Sequence, residues 1–299
     1  MYQFIQKRSL WLGISSVMFV IAVIFLLVWG LKPGLDFTGG SMMNIKFNKE
    51  TPTTEALSQY LDEMKLDGGI KVQPVGENDF NLRFQSVDET THQSVLKKLE
   101  EKYQKDFQEE RFDSIGASVG KELKTKAIYS VLFVVLAIVL YVAWAFRKVS
   151  WPVASWKYGV IAIIALIHDI VITLGVFALL GRFMNIEVEL PFVAALLTIL
   201  GYSVNDTIIV FDRTRENLGR LAKMSFAEIV NRSLNETLAR SINTTVTTLL
   251  ALLAVFIFGG ASIRSFALAL LIGITLGAFS SIFVASPLLV VADELQKKK

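Results

Sequence analysis

The stretch LPFVAALLTILGYSVNDTIIVF, residues 190–211, decides how the chain is read. It is long and apolar enough for a helix that crosses the roughly 30 Å hydrocarbon core of a bilayer, which takes about 20 residues. Yet it holds Asn205 and Asp206 in its inner half. A carboxylate at the centre of a spanning helix costs about 3 kcal/mol on insertion scales. Such a residue is retained only where something offsets that cost or a function requires it.

Five further apolar runs surround this one, near 11–30, 127–146, 158–180, 241–259 and 265–289. They account for a composition that is 53% hydrophobic with a mean hydropathy of +0.51, too apolar for an ordinary soluble domain. The first run follows Lys7 and Arg8 as a signal peptide would, but its apolar core is too long and no A-x-A-like site follows, so it reads as a retained anchor. With the N-terminus inside, six spans place Lys7, Arg8, Arg147, Lys148, Lys157, Arg213, Arg215, Arg220, Lys223, Arg232, Arg240 and Lys297 to Lys299 in the cytoplasm. The two short outer loops then hold Arg182 and Arg264 alone, a strong positive-inside bias. Both termini are expected in the cytoplasm. The net charge of +3 therefore needs no nucleic acid to explain it. There is no cysteine, hence no disulfide and no thiolate metal site. Neither a metal nor a cofactor is expected.

Residues 31–126 differ sharply from the rest, with 14 Lys/Arg, 17 Asp/Glu and alternating apolar positions. Residues 41–48 predict a strand and 53–66 a helix capped by Thr53 or Thr54, with Leu57, Tyr60, Leu61 and Met64 on one face. Strands at 70–75 and 81–85 are joined by a turn containing Gly76 and Asn78, a second helix covers 88–103, and a last strand covers 110–117. The order βαββαβ is that of a ferredoxin-like domain. The fold expected is a polytopic α-helical membrane protein of six transmembrane helices, with one extracytoplasmic α+β domain between helices 1 and 2. Its parts are residues 1–30 (N-terminal segment and helix 1), 31–126 (outer domain) and 127–299 (helices 2–6). The last part includes a cytoplasmic loop, 212–240, and a basic C-terminal tail.

Helical spacing sets Tyr202, Ser203 and Asp206 on one face of the fourth span. The fifth, NETLARSINTTVTTLL (235–250), carries Glu236, Arg240, Asn243, Thr244, Thr247 and Thr248 at three- and four-residue intervals. A polar stripe at helical period faces protein or water rather than lipid. Arg240 stands at a depth compatible with Asp206 and is the expected partner of its carboxylate. His168 and Asp169 form a third polar pair near the middle of the third span. A structural ion pair fixing helix register is the plainer account of Asp206 and Arg240. A carboxylate whose charge depends on a guanidinium and on water access is also a natural site for a proton, or for Na⁺ with Asn and Thr oxygens. The candidate cation pathway is therefore Asp206, Arg240, Asn205, Asp169, His168, Thr244 and Thr247.

GLDFTGG (34–40), GYSVNDTIIVFDRTREN (201–217) and NETLARSINTTVTTLL together resemble the SecF family, the smaller subunits of the SecDF protein-export complex in the resistance-nodulation-division superfamily. The resemblance covers nearly the whole chain. It implies an auxiliary subunit that uses the proton motive force to assist movement of unfolded preproteins across the bacterial cytoplasmic membrane, not an enzyme. The partners it implies are a SecD-like subunit, the SecYEG channel and YajC, in addition to membrane lipid. It matches Asp206 to the family's proton-pathway aspartate and Arg240 to its membrane arginine. In GLDFTGG, Gly34, Asp36, Gly39 and Gly40 read as a hinge or joint between helix and strand. A proton-driven exporter of small molecules or lipids in the same superfamily is the nearest alternative. An intramembrane aspartyl protease with an Asp169–Asp206 dyad is a distant one, since Ser203, Val204 and Asn205 precede Asp206 where such enzymes carry G-x-G. No Walker A pattern occurs.

Two further features are noted. Residues 212–234 are charged and amphipathic, with a capping box at Ser225 and Glu228, and suggest a helix at the membrane surface. Gly273, Gly277 and Ser281 form a small-residue ridge that permits close packing, either within the chain or against a partner.

Overall fold

The computed structural model describes residues 2–75, 78–104, 106–147, 153–221 and 223–297. Gly76 of the expected turn, and Lys148, Lys298 and Lys299 of the charge count, lie outside them. The chain divides into two compact units, residues 33–127 and residues 1–32 with 128–299.

The smaller unit opens with a short helix α2 (Leu35–Thr38), preceded in the chain by α1 (Arg8–Val28) of the larger unit. There follow β1 (Gly40–Phe47), α3 (Thr54–Asp62), β2 (Lys71–Pro74), β3 (Asp79–Phe84), α4 (Glu89–Tyr103) and β4 (Phe107–Ile115). The four strands form one antiparallel sheet in the order β2-β3-β1-β4. Alternation drives it: Met43, Ile45 and Phe47 on β1 and Phe80, Leu82 and Phe84 on β3 are buried, and α3 and α4 add Leu57, Leu61, Val95 and Leu99. Each such side chain contributes about 1.5–3 kcal/mol by leaving water. The helix starts are fixed locally. Thr53 accepts the Ala56 N–H at 3.2 Å, and Asp88 accepts the Thr91 N–H at 3.0 Å. The Thr90 and Thr91 hydroxyls, with the Thr91 N–H, hold the Asp88 carboxyl down at about 2. β4 begins three residues earlier than expected because a bulge at Asn44/Ile45 carries the pairing on to Phe107.

The glycine pair ends α2 with left-handed backbone, φ +69° at Gly39 and +114° at Gly40. A Cβ on Gly39 would stand 2.9 Å from the Ala117 Cα, and one on Gly40 2.9 Å from the Phe84 carbonyl oxygen. Gly34 is different. Its backbone is extended and uses none of a glycine's freedom, so the sequence expectation of three conformationally necessary glycines holds for two. Gly120 fits against Gly39 from the other side, a contact the sequence did not suggest.

The larger unit is helical. Beyond α1 it contains most of α5 (Ala117–Ala145), then α6 (Ser155–Met184), α7 (Leu190–Arg220), α8 (Phe226–Phe258), α9 (Ala261–Ser280), a π-helical turn (Ser281–Ala285) and α10 (Ser286–Lys297). Among the described residues, six segments are long and apolar enough to cross a membrane, the last being α9 and α10 taken through the π turn. The helices outrun the apolar runs. The charged segment after Asp212 continues α7 to Arg220, and α8 starts at Phe226 with the Ser225/Glu228 capping box formed. The described part of 212–234 is thus two helix extensions and not a separate surface helix. The physical reason is that Arg213, Glu216, Arg232 and Glu236 pair along and between these extensions.

Small residues set the closest approaches. A Cβ on Gly175 of α6 would lie 2.5–2.8 Å from the Cβ, Cα and carbonyl oxygen of Ala22 on α1. The Gly273–Gly277 ridge of α9 faces α7 of the same chain, with Ile199 over Gly273 and Ser203 over Gly277.

Candidate functional site

The ridge brings α9 close enough to α7 and α6 for short polar side chains to meet in the middle of an apolar bundle. Asp169 on α6 is fully buried. Its Oδ2 accepts the Ser203 hydroxyl of α7 at 2.6 Å and the Ser280 hydroxyl of α9 at 2.7 Å. Its Oδ1 lies 2.9 Å from Nδ1 of His168. The His168 ring is buried, stacked at 6.4 Å on Phe19 of α1, and its Nε2 has no hydrogen-bond partner among the described residues.

Asp206, one turn after Ser203 on α7, is 5% exposed. Its Oδ1 accepts the Ser241 hydroxyl of α8 at 2.6 Å. Its Oδ2 is buried and has no hydrogen-bond partner among the described residues. The neighbouring Thr207 hydroxyl is 2.9 Å from that of Ser281. Two carboxylates therefore sit in adjacent layers, each with its own hydroxyls, and no hydrogen bond links them. That is not the shared-proton geometry of an aspartyl dyad.

The pairing of Asp206 with Arg240 is not what the structure holds. Arg240 is exposed and its guanidinium makes no hydrogen bond or ion pair with a described residue, whereas Ser241, one position on, reaches the carboxylate. A step of one residue turns a helix by about 100°. α8 buries Thr237, Ser241 and Thr245 and leaves Arg240, Asn243, Thr244 and Thr247 outward. Asn205 is likewise exposed on α7. The outward threonines satisfy themselves: Thr244 donates to the Arg240 carbonyl at 2.9 Å and Thr247 to that of Asn243 at 2.9 Å. Of the seven candidate residues, the structure gathers Asp206, Asp169 and His168 inside and sets Arg240, Asn205, Thr244 and Thr247 on the outer surface of this subunit.

Ser241, Ser280 and Thr207 were not among the candidates. Thr237, Ser241 and Thr245 recur every four residues and formed a second polar stripe that sequence alone could have flagged. Ser280 gave no such signal. Toward the end of α7 and the start of α8, Glu236 accepts from Arg213 at 2.6 Å and from Asn217 at 2.8 Å, binding α7 to α8.

The chain matches two family models. One, for the C-terminal part of the SecD/SecF protein-export membrane proteins, covers residues 95–295, and one for the SecD/SecF GG motif covers residues 24–51. It is 39% identical to the protein translocase subunit SecF of Thermobaculum terrenum, over 97% of this chain and 93% of that one. It is 38% identical to that of Haemophilus influenzae, over 95% and 83%. Among solved structures it resembles SecDF, a translocon-associated membrane protein from Thermus thermophilus, with a TM-score of 0.83 and 33% identity. All of this chain is covered, but it spans only 39% of the length of that SecDF chain. Both family models and the length of the relatives agree, and the chain belongs to the SecD/SecF family of protein-export membrane proteins.

Proposed function

We propose that this chain is the smaller membrane subunit of a protein-translocase accessory, and that Asp206 binds and releases the cation whose gradient drives it. The observation that carries the reading is the buried Oδ2 of Asp206, which has no hydrogen-bond partner among the described residues. A free carboxylate oxygen in an apolar interior is costly. Protonation, or a small cation held with the Ser241 hydroxyl, removes that cost, and the proton motive force supplies the cycle. SecF-named relatives at 34–39% identity support the translocase role.

A second half completes the machine. The outward stripe of Arg240, Asn243, Thr244 and Thr247 on α8 is a poor surface for lipid and a good one for a polar partner. The SecDF chain it resembles is more than twice as long, which supports a SecD-like subunit as that partner. Cysteines placed at Thr244 and Thr247 are expected to cross-link to the SecD-like subunit in native membranes, and cysteines at Leu136 on α5 much less so. Equal labelling of both would sink the assignment of this face.

Through that partner the chain serves the SecYEG channel, with YajC, and the preprotein in transit. The site lies in the bacterial inner membrane, with both termini in the cytoplasm. Residues 31–126 are the extracytoplasmic domain. Strand order β2-β3-β1-β4 with two helices in βαββαβ sequence supports a ferredoxin-like fold for it. The close contact of Gly120 with Gly39 and with the Asp36 carbonyl supports a packing role for the GLDFTGG segment within the smaller unit. A reporter active only outside the cytoplasm is expected to work when inserted at Gly68 and to be silent at Gly219. The reverse pattern would overturn the orientation.

A further inference from the structure

Asp169 is the most buried carboxylate of the bundle, and three groups already serve it: the two serine hydroxyls and the imidazole. Three donors on one carboxylate describe the anion. With His168 donating from Nδ1, its Nε2 is left as a buried acceptor with no hydrogen-bond partner among the described residues. Ser15, two turns before Ala22 on α1, comes to the level of His168, because Ala22 seats on Gly175 two turns after it. Its hydroxyl is also buried and without a hydrogen-bond partner among the described residues.

The link to Asp206 runs through one carbonyl. Gly277 O on α9 takes the backbone N–H of Ser281. The Ser280 hydroxyl is 3.2 Å from that oxygen, and the Ser281 hydroxyl is 2.9 Å from it. Two hydroxyls thus compete for the remaining lone pair. Ser280 has Asp169 as its other acceptor, and Ser281 faces Thr207 and bears on the Asp206 carboxylate. The π turn that begins at Ser281 is where this competition is held, with the Ser286 hydroxyl donating to the Ser281 carbonyl at 2.8 Å.

We infer that His168 and Asp169 form a second proton-binding site, and that its occupancy is passed to Asp206 by exchange of the Ser280 and Ser281 hydroxyls at the Gly277 carbonyl. The inference rests on Asp206 being the titrating group proposed above. A proton bonds to Nε2 of His168; the Nδ1–H bond breaks as an O–H bond forms on Oδ1 of Asp169. The site goes from one negative charge to none, with a neutral imidazole and a neutral acid. The acid holds its hydroxyl donors less strongly than the anion. Ser280 turns to Gly277 O, and the Ser281 hydroxyl, already beside the Asp206 carboxylate, gives up that carbonyl and donates to Asp206, a bond stronger to the anion than to the acid. Occupation of one site therefore opposes occupation of the other. Of the elements packed on α6 at this level, α1 brings Ser15 and Phe19, α9 brings Ser280, and α7 brings Ser203 and the titratable Asp206. Asp293 of α10 belongs to the other end of α6, near Tyr158.

The test is infrared difference spectroscopy of the full chain in lipid bilayers with carboxyl-labelled aspartate, titrated with pH. The protonated-carboxyl signal lost in Asp206→Asn reports Asp206. In the wild type it is expected to titrate in two steps at least about one pH unit apart, as coupled sites do. Ser280→Ala, which does not touch Asp206, is expected to reduce this to one step. Should Ser280→Ala not assemble, His168→Gln, which removes the Nε2 acceptor, is expected to do the same. A single step in the wild type, or two steps surviving in either variant, overturns the coupling and leaves Asp206 as the cation site. An Asp206→Asn spectrum with no signal lost overturns the cation-site reading and this inference together.

Discussion

Asp206→Asn is expected to reduce gradient-driven preprotein export to the level seen when the gradient is collapsed, while the protein inserts and accumulates normally. The amide keeps an acceptor oxygen for the Ser241 hydroxyl, 2.6 Å from Oδ1 in the native chain, so packing of α7 on α8 is retained. What is lost is the ability of Oδ2 to carry a proton or hold a cation. The loss is in turnover and not in stability, because a neutral group at a buried position with no counter-ion is at least as well tolerated as a carboxylate. Arg240→Ala provides the contrast. If the two residues formed a buried ion pair, removing the guanidinium would strand the carboxylate and cost about 3–5 kcal/mol. The Arg240 guanidinium is exposed and without a partner among the described residues, so its removal is expected to change the subunit's own stability by no more than about 0.5 kcal/mol. Export measured in proteoliposomes, with thermal midpoints measured on the same preparations, checks both. Wild-type export in Asp206→Asn would reduce this aspartate to scaffolding.

Gly175→Val is expected to be the most damaging single change to the bundle. An added Cβ would stand 2.5 Å from the Ala22 Cβ, 2.6 Å from its Cα and 2.8 Å from its carbonyl oxygen. Two of those atoms are backbone of a rigid helix, so no side chain can move aside. α1 and α6 must separate, and apolar contact along both is lost. Overpacking of this kind costs about 1–3 kcal/mol, or more where backbone must move. That corresponds to a fall of several degrees in the melting midpoint of a domain this size, roughly 2–4 °C per kcal/mol. Gly201→Ala is the control. Gly201 is also helical but has nothing within 4 Å of an added Cβ. The change is expected to be neutral, or stabilising by up to about 1 kcal/mol through helix propensity. Scanning fluorimetry in detergent distinguishes the pair, and equal midpoints would show that α1 is not seated on α6 as described.

The six spans could be read because hydropathy is a local property. Residues 190–211 declare themselves apolar whatever surrounds them, and α7 covers all of that run. The strands and helices between Gly40 and Ile115 were legible for a related reason. Period-two burial on β1 and β3 and the Thr53 and Asp88 caps are each written within a few residues. Helix ends were less legible. Charged residues after Asp212 look like a loop, and the Arg213–Glu236 pair that ties the two helix extensions together is visible only in three dimensions.

What sequence by itself determined about this protein is which residues are chemically out of place: Asp206, Asp169 and His168 in helices otherwise fit for lipid. What only the tertiary structure decided is who meets them. Ser241 rather than Arg240 holds Asp206, and Ser203 with Ser280 holds Asp169, because rotation about a helix axis is fixed by packing against its neighbours. The ridge of Gly273 and Gly277 turns toward α7, and that choice brings Ser280 and Ser281 inward while the Arg240 face is left outward. Periodicity reveals that a helix has two faces. Which face meets which neighbour is set by contacts far apart in the chain.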